Sequence, residues 1–142
     1  MAATEFSTAA LSPAPDEVAP DGANVRRLHR LPAGSMAHFE VPAGAISTAI
    51  RHGTVDEIWY FLSGRGEMWR RQGNRESRVE VGAGISVTVP AGTAFQVRAG
   101  GGAPLTALAV TMPPWPGSEE AVPVEGPWQP TVGIGVRSSA GR

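Results

Sequence analysis

Ile50-Arg51-His52-Gly53-Thr54-Val55-Asp56-Glu57, running on through Trp59 and Phe61 to Gly64, is the stretch on which the fold of this chain turns. Alternate residues of a strand share a face, so Ile50 and His52 point one way and Glu57 carries Trp59 and Phe61 on its own side. Outward from this stretch, short apolar runs alternate with turn residues at fairly regular intervals, the rhythm of a β-sandwich or barrel. The rhythm predicts strands near residues 25–31, 36–41, 46–52, 56–62, 66–72, 77–81, 85–89, 94–98 and 104–112. Gly64-Arg65-Gly66 and Gln72-Gly73-Asn74 supply the positive-φ residues that hairpin reversals need. Gly, Pro and β-branched residues break every window in which a helix could be placed. After Met112, Pro113-Pro114-Trp115-Pro116-Gly117 stops the last strand, because proline cannot donate to a ladder.

Composition agrees with this reading. The chain has 142 residues, 42% of them hydrophobic, which is enough for one core and too little for two ordinary domains. Thirteen prolines and eighteen glycines favour many short elements over long helices. The division expected is a flexible N-terminal arm over 1–24, a barrel over 25–112 and a proline-rich C-terminal arm over 113–142, partly packed on the barrel. Trp115 and Trp128 are large rings in that last arm and are expected to anchor it, as a lid over the barrel mouth or across a dimer interface. The formal net charge is −1, and Arg70, Arg71, Arg75 and Arg78 are interleaved with Glu67, Glu76 and Glu80, so nucleic acid is not an expected partner. No stretch reaches the roughly 20 apolar residues that span a bilayer, and the N-terminus does not resemble a secretory signal, so a soluble cytoplasmic protein is expected. Cysteine is absent, which removes disulfides, thiolate catalysis and zinc–sulfur sites.

Val41-Pro42-Ala43-Gly44 recurs as Val89-Pro90-Ala91-Gly92, each copy between two strand-like runs. Two similar β units suit a double-sheet jelly roll of paired Greek keys. The stretch from Gly44 to Gly64 resembles the first motif of the cupin superfamily, G-x5-H-x-H-x3,4-E-x6-G: His52, Glu57 and Gly64 match its second half, and Ile50 stands where its first histidine belongs. Gly84 through Pro90-Ala91-Gly92 resembles the second, G-x5-P-x-G-x2-H-x3-N, with Phe95 in the histidine position and Ala99 in the asparagine position. The resemblance covers about residues 36–112. It implies an all-β double-stranded β-helix, a jelly-roll barrel that holds a small molecule in its mouth, and homodimers formed through sheet edges or exchanged arms.

In that family the histidines and the glutamate converge on a metal. Here the corresponding positions carry Ile50, His52, Phe95 and Glu57, so two donors remain of four. Of the other histidines, His29 and His38 precede the motif, and His38 would face inward if its strand alternates as Met36, His38, Glu40. A divalent iron, manganese, nickel or zinc ion would then be held weakly by His52, Glu57 and His38; otherwise no cofactor is expected.

The leading expectation is an enzyme of the cyclase, dehydratase or isomerase type, with His52 as general acid or base and Glu57 as its orienting partner. Ile50, Trp59, Phe61, Met68 and Phe95 would line an apolar cavity suited to a hydrophobic or aromatic small molecule. Arg70 would bind an anionic group of it, unless the strand phase turns Arg71 inward instead. Two further readings stay open: a metal-dependent oxygenase, decarboxylase or isomerase, and a module that binds a small ligand without catalysis.

Overall fold

The structure, a computed structural model, describes residues 4–133. Among the described residues eleven strands run in chain order: β1 Glu17–Val18, β2 Asn24–Leu31, β3 Gly34–Val41, β4 Ile50–His52, β5 Asp56–Ser63, β6 Arg65–Gln72, β7 Arg75–Gly82, β8 Ser86–Val89, β9 Ala94–Ala99, β10 Leu105–Met112 and β11 Ala121–Pro123. They form a six-stranded sheet, β1-β2-β3-β10-β5-β8, and a five-stranded sheet, β11-β4-β9-β6-β7, with every pairing antiparallel. This is the all-β double-stranded β-helix expected from the motifs.

Side-chain alternation builds the core. On β10, Leu105, Ala107, Ala109 and Thr111 are buried while the residues between them are partly exposed; on β5, Glu57, Trp59 and Phe61 are buried between exposed neighbours. The two sheets close over these faces, and Ile50, Trp59, Phe61, Met68 and Phe95 join one apolar cluster. Two glycines are needed where the sequence marks reversals. Gly64 has φ 82°, and a Cβ there would stand 2.1 Å from the Pro104 carbonyl oxygen. Gly73, at φ 59°, opens the two-residue loop that pairs Gln72 with Arg75.

The flanks differ from the sequence expectation. Residues 17–24, expected as part of a flexible arm, add β1 to the edge of β2 and tuck Asp21 and Ala23 into the barrel end. The Thr48 N–H bonds the Asp21 carbonyl at 2.9 Å, and Ala19 and Ala23 share a turn. These backbone bonds, with burial of Ala23, offset the ordering entropy that composition alone suggested was unmet. Beyond Met112 the chain adds a 3-10 turn at Ser118–Glu120 and β11 beside β4, and then crosses the outer face of the five-stranded sheet. There Trp128 packs with Trp69, Ala49 and Ala94. Residues 1–3 and 134–142, the ends of the two arms, lie outside the described residues. Among the described residues no helix is long and apolar enough to cross a membrane.

Candidate active site

His52 ends β4 and Glu57 is the second residue of β5, so the chain must turn within Gly53-Thr54-Val55. That turn is clamped from outside by Glu120, whose carboxylate accepts the Thr54 N–H at 2.5 Å, the Thr54 hydroxyl at 2.7 Å and the Val55 N–H at 2.9 Å. Burial alone would push the Glu120 carboxyl up, but these bonds outweigh it and hold it below the ordinary carboxylate value. Held this way, His52 Nδ1 lies against Glu57 Oε2 as a buried imidazole–carboxylate pair, in close contact but outside hydrogen-bond geometry. The other Glu57 oxygen accepts the Trp59 indole N–H at 2.9 Å.

The imidazole lies between two aromatic rings. Phe95 meets it edge-on with centroids 5.2 Å apart, and Trp115 meets it from the C-terminal segment at 4.9 Å. Trp115 is fixed in turn: its N–H donates to Ser35 Oγ at 2.9 Å, and its carbonyl accepts from Arg30 Nη1 at 2.8 Å. His52 Nε2 has no hydrogen-bond partner among the described residues. With Nδ1 against the carboxylate, Nε2 is the nitrogen left for chemistry.

A small cavity is walled by Phe39, Trp59, Phe61, Val97 and Leu105, with Asp21 as its one charged group. Its free interior is no larger than one water needs. Neither His52 nor Glu57 lines it; Trp59 does, and its bond to Glu57 joins cavity and pair. Asp21 was not foreseen from the sequence, because it sits in an Ala- and Pro-rich segment without periodicity. The one local signal is Asp21-Gly22, a turn dipeptide just before the first long strand. Burial pushes its carboxyl up from 3.8 to about 6, with the Ala23 N–H and His52 pulling it down and Glu57 pushing it up.

The remaining sequence candidates fall in different places. Trp59 and Phe61 line the cavity; Ile50, Met68 and Phe95 pack in the surrounding cluster without lining it. The strand phase turns Arg70, not Arg71, to the face of Met68 and Phe95. The Arg70 guanidinium reaches across to β8, donating to the Thr88 carbonyl at 2.8 Å, so it laces the two sheets at their edge and does not line the cavity. Arg71 lies on the outer face, over the Trp69 ring at 5.2 Å.

His38 corrects the expectation of a third metal ligand. Phe39 and Val41 take the inward positions of β3, so Met36, His38 and Glu40 share the outer face, where His38 stands opposite Arg26 and Leu108. Burial and the Arg26 charge lower its pKa, with Glu40 opposing them. Among the described residues no three His, Cys, Asp or Glu side chains gather where they could hold a metal ion. Two donors with Ile50 and Phe95 in the other positions do not fit a resident transition metal.

Comparison with known proteins agrees with this architecture. Residues 37–111 match the family model described as Cupin domain. Uncharacterized protein MJ1618 of Methanocaldococcus jannaschii is 32% identical over 81 residues, 57% of this chain and 62% of its own length. Among solved structures, Streptomyces PAC13 with uridine superposes with a TM-score of 0.66 at 14% identity, covering 86% of this chain and 92% of that one. Bacillus subtilis oxalate decarboxylase superposes with a TM-score of 0.65 at 20% identity over 78% of this chain, which spans only 30% of that protein. A conserved Klebsiella pneumoniae protein with a double-stranded beta-helix domain gives 0.61 at 14% identity, covering 82% and 91%.

Proposed function

The chain belongs to the cupin family, and from that premise we propose that it is a small-molecule enzyme that works by proton transfer, of the lyase, isomerase or cyclase type. The observation that carries this reading is the buried His52–Glu57 pair, with Nδ1 against a carboxylate whose other oxygen accepts the Trp59 indole N–H, and with the imidazole between two rings. Such an arrangement holds one tautomer and one ring orientation, which is what a general base requires. In a dehydration, Nε2 takes the proton from a carbon beside a carbonyl, Glu57 stabilises the imidazolium through Nδ1–H, and the imidazolium returns the proton to the departing hydroxyl, which leaves as water. An isomerisation returns it to another carbon. The metal-dependent reading lacks its third ligand, since His38 faces the other way.

The aromatic rings of Phe95 and Trp115 that flank His52 support a compact, largely apolar substrate. Because the solved Streptomyces PAC13 structure, of similar length, holds uridine, a nucleoside belongs in the first screen beside β-hydroxy ketones and 1,3-diketones. The test is exchange in D2O followed by proton NMR, which reads proton abstraction before the full reaction is known. We expect loss of a substrate C–H signal with the native protein, and a fall of about 100- to 10,000-fold in His52→Ala, with a smaller fall in Glu57→Gln. Exchange that is equal in the native protein and His52→Ala, or absent across the screen, rejects the reading. Saturable binding without exchange would favour a non-catalytic ligand-binding role.

A further inference from the structure

His52 is 6% exposed, so a substrate reaches its imidazole only after a neighbour moves. Phe95, Glu57 and Trp115 meet the ring, and they differ in how firmly they are held. Phe95 is buried in the middle of the five-stranded sheet, on a strand with β4 on one side and β6 on the other. Glu57 is buried on β5 and tied through its second oxygen to the Trp59 indole N–H. Trp115 belongs to neither sheet: it stands in Pro113-Pro114-Trp115-Pro116-Gly117 and packs on the core as a half-buried ring. Its indole N–H, unlike that of Trp59, makes no hydrogen bond among the described residues.

The main chain of Trp115 is held where its ring is not. Its N–H donates to Ser35 Oγ at 2.9 Å, and that hydroxyl pairs with Thr111 Oγ1 on β10 at 2.6 Å. Its carbonyl accepts from Arg30 Nη1 at 2.8 Å. Pro114 and Pro116 fix their own φ, and a residue before proline is confined to extended backbone. What stays free is rotation of the indole between staggered positions about the side-chain torsions.

We propose that Trp115 is the gate of the His52 site: its indole stands where a substrate must lie against the imidazole, and it rotates aside on a fixed main chain to admit one. The molecule that takes its place is flat and apolar, because the space it enters is one that an indole ring fills. This deepens the proton-transfer reading and rests on it for what happens after entry.

The test follows access to the imidazole in the full-length protein with diethyl pyrocarbonate, which acylates a neutral imidazole nitrogen that it can reach, and locates the product by peptide mass spectrometry. A minor open state populated at about 0.1–10% slows the His52 reaction in proportion, so Trp115→Ala should speed it about 10- to 1,000-fold. His38, buried on the outer face of the six-stranded sheet, should keep its native rate. Indole added to Trp115→Ala should slow His52 again in a saturable way. In the native protein the His52 rate should stay level in dilute urea, because turning one side chain exposes little surface, while the His38 rate climbs. An unchanged His52 rate in Trp115→Ala, a rise shared by His38, no protection by indole, or a native His52 that reacts only as urea is added would overturn the gate. Deuterium exchange separates the two readings. If Trp115→Ala opens His52 and no substrate proton exchanges, the proton-transfer reading falls and the gate stands; if the native protein exchanges and Trp115→Ala leaves the His52 rate unchanged, the gate falls alone.

Discussion

The two faces of the five-stranded sheet bury polar groups in opposite ways. On the outer face Gln96, fully buried, donates to the Ser47 carbonyl at 2.8 Å and the Trp128 carbonyl at 2.9 Å, and accepts the Trp128 N–H at 3.2 Å. Its amide is spent on joining the C-terminal segment to the barrel, and Arg98 covers the Trp128 ring at 4.5 Å. On the inner side, among the described residues, Asp21 makes one side-chain bond, and His52 Nδ1, Glu57 Oε2 and Arg70 Nε are buried without a hydrogen-bond partner. Satisfied burial gives scaffold, because nothing remains to bind; unsatisfied burial costs stability and leaves groups free for a ligand.

That contrast can be broken most sharply at Gln96. Gln96→Ala removes three bonds and leaves two carbonyls and an N–H in a buried seam, so urea denaturation should show a loss of about 4 kcal/mol. A loss below about 1 kcal/mol would mean that the seam hydrates freely. Asp21→Asn should act in the other direction. A carboxyl raised from 3.8 to about 6 leaves stability intact below the unfolded value and lowers it as pH rises through the folded one. At pH 8 the whole cost, roughly 3 kcal/mol, is present. The substitution should therefore stabilise the protein at pH 8 and change little at pH 3.5, as read from parallel denaturation curves. The smallest effect is expected at Glu120. Glu120→Gln weakens the clamp on Thr54 and Val55 and should cost about 1 kcal/mol near neutrality. Because the Glu120 carboxyl is held low, that contribution is present above its ordinary value of 4.5 and lost as pH falls through the folded one. Native and variant stabilities should accordingly converge in acid.

Much of the barrel was legible because its signals are local. The alternation on β5 and β10 and the reversals at Gly64 and Gly73 each depend on a few adjacent residues, and the structure has strands at all nine predicted places. The run expected at 46–52 narrows to Ile50–His52, with Ile46 left in an isolated bridge to Arg98. The closeness of His52 and Glu57 was legible in their spacing. What was not legible depends on which face of a strand meets the core. On β3 both alternating sets carry apolar residues, Ala37, Phe39 and Val41 in one and Met36 in the other, so periodicity could not settle the side of His38. Arg70 and Arg71 posed the same problem of phase. Asp21 and β11 are fixed by long-range backbone bonds that leave no periodic trace.

One further consequence follows from the Glu120 clamp. The family core ends at residue 111, yet the turn between His52 and Glu57 is fastened by residue 120, the imidazole is covered by residue 115, and the cavity is walled by residue 21. The shared core carries the architecture, while the segments flanking it finish the interior. Two chains alike across that core could therefore diverge in chemistry by changing only their tails, a route to new activity that leaves the inherited barrel untouched.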